Sequence, residues 1–140
     1  MFHFTKSTNI PSIKKHGLLS YNQLKKNNIK FESNSNPLSQ NLDEAKGYLD
    51  YVHFSKFQVF QFTRYGQINK QEYEWIAIQL DPFNKFYNDI EKVLYLDDNG
   101  ASNSTKTIPY NEKSTWWEIP HNQAEVLIKD RIMPEHLIFS

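Results

Sequence analysis

Cysteine is absent from the chain, which removes disulfides, thiol nucleophiles and thiolate-bound metals from consideration. Arginine is almost absent: Arg64 and Arg131 are the only two, so positive charge is carried by lysine. The four glycines form no phosphate-cradling loop, and no serine stands in a G-x-S-x-G elbow. No apolar run approaches the roughly 20 residues of a membrane span, and Met1-Phe2-His3-Phe4-Thr5 lacks the basic and apolar regions of a signal peptide. His3, His16, His53, His121 and His136 show no paired spacing of the H-E-x-x-H kind, so no metal is expected. Neither sign of charge prevails, since sixteen basic residues meet sixteen acidic ones. Any contact with nucleic acid must then come from a local patch, not from a global field. These absences point to a cytoplasmic protein without a membrane segment.

What is present is aromatic. Ten Phe, eight Tyr and three Trp in 140 residues supply core, and enough rings besides for a surface that stacks on a ring-bearing ligand. The length suits one domain, residues 1–140, with no linker or internal repeat.

Phe2–Thr5 alternates apolar and polar residues and reads as a first strand. Ser7 or Asn9 is placed to cap a short helix with Pro11 in its first turn, Ile10 and Ile13 inward and Gly17 at its end. Ser20-Tyr21-Asn22-Gln23 has the spacing of a capping box for a second helix through Lys26. Residues 27–40 read as a loop, 39–46 as a short helix, 48–57 as a strand and 58–66 as an aromatic helix. Residues 73–80 form the strongest strand pattern, followed by an aromatic turn at 81–87. Residues 92–96 are another strand, ended by the turn signal Asp97-Asp98-Asn99-Gly100. Residues 101–107 read as a polar loop and 137–139 as a last strand. Helices gather in the N-terminal half and strands dominate the rest, which predicts an α+β fold with an antiparallel or mixed sheet.

The chemistry-bearing stretch is Trp116 to Pro134. With period two, Ala124, Val126 and Ile128 face a core, and Gln123, Glu125, Leu127 and Lys129 face away from it. A carboxylate held at the start of a strand suits a catalytic acid, base or electrostatic stabiliser. The plain alternative is an edge-strand glutamate that keeps an apolar strand soluble. His53, His121 and Glu125 would also suffice for a metal-free ribonuclease.

Phe2-His3-Phe4-Thr5, with Asn9-Ile10-Pro11-Ser12-Ile13 and His16-Gly17-Leu18-Leu19, resembles the N-terminal motif of the DarT-type ADP-ribosyltransferases. Asp50-Tyr51-Val52-His53-Phe54 is similar to that family's second motif, and Gln123-Ala124-Glu125-Val126-Leu127-Ile128 to its third. The three stand in family order across most of the chain, as in a compact member. The resemblance implies an ADP-ribosyltransferase-like split β-sandwich, mostly antiparallel, with NAD as co-substrate in the cleft between its sheets. It implies transfer of ADP-ribose to a nucleic-acid base, typically thymidine in single-stranded DNA or else a base in RNA. It also implies a toxin paired with a macrodomain-type antitoxin. Glu125 would be catalytic. His3, Thr5, Asn9, Tyr51 and Phe54 would bind the dinucleotide. Gln123, His121, Trp116, Trp117 and Lys129 would meet the acceptor. Where the family carries a histidine before its second motif, this chain has Leu49, and no arginine lies between Asn27 and Asp50. Lys46 or Lys30 is the expected stand-in on the NAD phosphates, without the bidentate fork of a guanidinium, and Arg64 after the motif is a further candidate. An NAD glycohydrolase, a protein-modifying transferase and a non-catalytic nucleotide-binding module are the competing readings.

Overall fold

Alternation in Phe2–Lys6 produces β1, and the remaining elements follow in the order α1 (Ile10–His16), β2 (Leu18–Leu19), α2 (Tyr21–Lys26), β3 (Tyr51–Ser55), β4 (Trp75–Leu80), β5 (Val93–Leu96), β6 (Thr107–Ile108), β7 (Glu125–Lys129), β8 (Arg131–Ile132) and β9 (Leu137–Ile138). Short 3-10 segments lie at Ser7–Asn9, Tyr48–Asp50, Tyr110–Glu118 and Pro134–His136. The structure is a computed structural model and describes residues 1–31, 46–56, 75–80, 91–97, 105–119 and 124–139. Beyond Phe31, the expected loop at 27–40, the helices at 39–46 and 58–66 and the turn at 81–87 fall outside the described residues, apart from Lys46.

Seven strands form one sheet in the order β6-β5-β7-β3-β1-β4-β9, and every pairing is antiparallel. β2 and β8 make a separate ribbon. This is the α+β arrangement expected, with both described α-helices near the N-terminus. Among the described residues no helix is long and apolar enough to cross a membrane.

β7 lies between β5 and β3. Glu125 is therefore not on an edge, which removes the solubilising role that an edge glutamate would have. Ala124, Val126 and Ile128 enter the main core with Val52, Phe54, Ile78, Leu80, Val93, Tyr95 and Trp116. On the opposite face Leu127 is fully buried as well, in a second cluster with Tyr48 and Leu96. The strand is covered on both sides, so its burial does not alternate as its sequence does.

Local chemistry explains the boundaries. Gly17 closes α1 at φ +86°, and a Cβ there would run into the Ile132 carbonyl of β8. Only glycine tolerates both the angle and the approach. The Ser20 hydroxyl accepts from the Gln23 amide at 3.2 Å, the expected cap of α2. The cap foreseen for α1 does not form: Asn9 has helical backbone angles and makes no side-chain cap bond, because its amide is used elsewhere. The strand expected from residue 48 begins only at Tyr51, since Gly47 at φ +77° leads into a 3-10 turn. Part of the expected polar loop pairs instead: Thr107–Ile108 joins β5, tightened where Asp97 Oδ1 accepts from the Lys106 amide at 2.8 Å.

Candidate active site

The sheet has a seam. β1 pairs with β4 from Phe2↔Gln79 through Lys6↔Trp75, and β3 pairs with β7 from Tyr51↔Lys129 through Ser55↔Glu125. Between β1 and β3 the register holds only Phe2↔Ser55. The expected pair of separate layers is thus one sheet, weakly joined at its middle, and the conspicuous polar groups collect along that join.

On one side is His3. Its Nδ1–H donates to the His53 carbonyl oxygen at 2.9 Å, across the seam, and its ring meets Phe54 edge-on with centroids 6.0 Å apart. Burial pushes the His3 imidazole down to about 4. The bond to the His53 carbonyl opposes that fall, and charge on the His53 ring adds to it. The ring is therefore neutral at pH 7, and with Nδ1 donating, Nε2 presents a lone pair. Nearby, Asn9 Nδ2 donates to Thr5 Oγ1 at 3.0 Å, and both residues are buried. This pair ties the turn before α1 to β1.

On the other side is Glu125, only 6% exposed although it carries an ionisable group. The His53 Nδ1–H donates to its Oε2 at 3.0 Å. Among the described residues no second partner holds the carboxylate. A buried carboxylate is costly to keep without partners, and its second oxygen is of the kind that accepts from a ligand hydroxyl.

By strand alternation, His3 and Thr5 share the face of Ile78, whereas Ser55, His53 and Glu125 share the opposite face. His53 joins the two sets, accepting from His3 through its carbonyl and donating to Glu125 through its ring.

The remaining expected residues divide. Trp116 is fully buried, with its Nε1–H donating to the Leu96 carbonyl at 3.0 Å, so it is a core residue and not an acceptor platform. Phe54 is fully buried too and cannot offer a ring face to NAD. Thr5 is 3% exposed, and its hydroxyl accepts from Asn9. Tyr51 is half-buried against the Tyr48, Leu96 and Leu127 cluster. The Lys46 ammonium lies 5.8 Å over the Tyr48 ring. Trp117 is 59% exposed, and Lys129 is exposed beside Tyr51. His121 and Gln123 lie outside the described residues.

Two further residues belong to the site. His53, given no role toward NAD by the motif, is one; its shared parity with Glu125 follows from the register Ser55↔Glu125. Lys56 is the other. It is buried directly after β3, donates to the Trp116 carbonyl and, at 3.0 Å, to the Ile119 carbonyl, and sits 4.5 Å over the Trp116 ring. Burial lowers the affinity of its ammonium for the proton. A cation at the carbonyl end of the Tyr110–Glu118 segment complements the partial negative charge there. It ties the end of that segment to the end of β3. Among the described residues no three of His, Cys, Asp and Glu gather as metal ligands.

No protein-family profile matches the chain, and no curated protein matches it in sequence. Among solved structures it is similar to DarTG from Thermosipho africanus, determined in complex with ADP-ribose, with a TM-score of 0.67 and 14% identity. The match covers 97% of this chain and 42% of that one, so the chain spans less than half the length of that protein. At such identity the likeness is one of fold: the helices and antiparallel sheet of this chain are arranged as in a DarT-like structure.

Proposed function

We propose that the chain is a cytoplasmic NAD-dependent ADP-ribosyltransferase of the DarT type, the split of that fold being the weak β1/β3 join of its sheet. It modifies a nucleic-acid base, most specifically thymidine in single-stranded DNA, as a toxin countered by a macrodomain-type antitoxin. The observation that carries the reading is Glu125: a buried carboxylate bonded to His53, at the start of a central strand, beside the seam of a DarT-like sheet. The ADP-ribose bound by the Thermosipho protein supports NAD as the donor.

In this reading the C1′–N bond of the nicotinamide ribose breaks, and its electron pair leaves with nicotinamide. Positive charge builds on the ribose. The Glu125 carboxylate accepts from the ribose 2′-hydroxyl, a bond that strengthens as that charge develops, as in glycosidases. A ring nitrogen of the base then forms a bond to C1′, and its proton passes to Glu125. Neutral His3 offers Nε2 to a hydroxyl of the dinucleotide. Because His3 and Glu125 project from opposite faces, a ligand that touches both enters the seam itself. Lys46 lies towards the phosphates. Trp117, with Lys129 and with Gln123 and His121, forms the acceptor side.

The test supplies NAD labelled in its adenine together with thymidine-containing single-stranded oligonucleotides, RNA and proteins. Label on DNA supports the reading in full. Nicotinamide release without any acceptor makes the chain a glycohydrolase, and RNA cleavage without NAD makes it a ribonuclease. NAD binding without turnover makes it a binding module.

A further inference from the structure

We infer that His53 is the positioning residue of the site: it holds one oxygen of Glu125 so that the other meets the ribose hydroxyl. The inference rests on the reading of Glu125 given above.

The geometry is specific. Glu125 is a flexible side chain on the first residue of β7, next to the approach segment that ends in Ile119. A carboxylate there rotates about its terminal torsion unless something holds it. The only described partner is His53 Nδ1, 3.0 Å from Oε2, on the neighbouring strand β3. The backbone of His53 is held across the seam, and its imidazole is held at Nε2 and against the Tyr48 ring. Its Nε2 lies 3.3 Å from the Tyr48 carbonyl, an acceptor, so a ring protonated on both nitrogens donates at both ends. Its face meets the Tyr48 ring edge-on with centroids 6.5 Å apart. Its carbonyl receives the His3 Nδ1–H. The Tyr48–Asp50 segment is anchored in turn, since the Asp50 carbonyl accepts from the Asp130 amide at 2.7 Å and its Oδ1 accepts from Asn22 at 2.8 Å. An acid held by an imidazole that is oriented by a third group is the logic by which catalytic groups are aligned.

The same contacts give His53 a second consequence. Because its backbone carries the bond to His3, the two opposite faces of the seam are registered to each other through one residue. A side-chain change at 53 leaves that backbone bond in place and affects the Glu125 side alone.

The experiment compares His53→Asn with His53→Leu in the full chain, measuring nicotinamide release and label transfer. The Asn side chain places an N–H donor where Nδ1 stands, and Leu places none. The expected result is kcat within about threefold of the parent for His53→Asn and about 10- to 100-fold lower for His53→Leu, the loss typical when an orienting partner is removed. KM for NAD stays within about threefold in both. Nitrogen-15 shifts of the His53 ring add a readout that needs no turnover: Nδ1 is protonated in the parent and loses that signature in Glu125→Ala. His53→Leu with the parent's kcat overturns the inference, and so do equal losses in the Asn and Leu variants. A parent that neither transfers label nor releases nicotinamide overturns the transferase reading itself, a different outcome from an active parent beside an equally active His53→Leu.

Discussion

Glu125 is a carboxylate only 6% exposed, and among the described residues its hydrogen-bond partner is His53. Glu125→Gln preserves its shape and removes its charge, and is expected to reduce label transfer at least about 100- to 1,000-fold, the scale of losing one charge-stabilising group. Circular dichroism of the same variant is expected to match the parent. His3 gives a pH signature. Its folded-state value near 4 lies below the 6.5 of an exposed imidazole, so the unfolded chain binds the extra proton first as pH falls. The stability that neutral His3 contributes is therefore complete above about pH 6.5 and is lost progressively towards about pH 4. Thermal melts across that window should show the decline in the parent and a shallower one in His3→Leu. Trp116→Ala removes a fully buried ring and its bond to Leu96, with an expected destabilisation of about 3–5 kcal/mol in denaturant titration. Trp117→Ala, at an exposed position, should leave stability within about 0.5 kcal/mol while weakening oligonucleotide binding.

The elements were legible in proportion to how local their causes are. β1, β4 and β7 follow from period-two reading of their faces, β5 and the last strand from short apolar runs, and the cap of α2 from Ser20 and Gln23 alone. Gly17 was readable as a helix terminator, but its second constraint, the Ile132 carbonyl 115 positions away in the chain, belongs to tertiary packing. Gly17→Ala meets both constraints and is expected to cost about 1–3 kcal/mol, measurable as a lowered midpoint in urea. Ser20→Ala, which loses only a cap, should cost about 0.5–2 kcal/mol. The site was legible in part. The Glu125 strand announced its two faces, but its position between β5 and β3, and hence its exclusion from the edge, rests on long-range register. Two adjacent tryptophans carry no sequence signal for which is core, and the 3-10 path of Tyr110–Glu118 decides it for Trp116. Lys56 was invisible for a related reason: nothing near it in sequence says that its ammonium ends on the carbonyls of Trp116 and Ile119.

For the whole molecule, the arrangement explains how 140 residues with no net charge can present a charged, buried site without a metal-ligand cluster among the described groups. The sheet is strongly paired on either side of β1/β3 and weakly paired across it, and His3 and Glu125 stand on either side of that join. The fold is shared with a protein more than twice the length of the matched region, so the catalytic reading rests on the site and not on the likeness alone. The most direct measurement is transfer of adenine-labelled ADP-ribose from NAD to a thymidine-containing single-stranded oligonucleotide, by the parent and by Glu125→Ala side by side. Label is expected on the DNA with the parent and none above background with the variant. Equal labelling by both, or none by either across every acceptor with no nicotinamide released, contradicts the transferase reading.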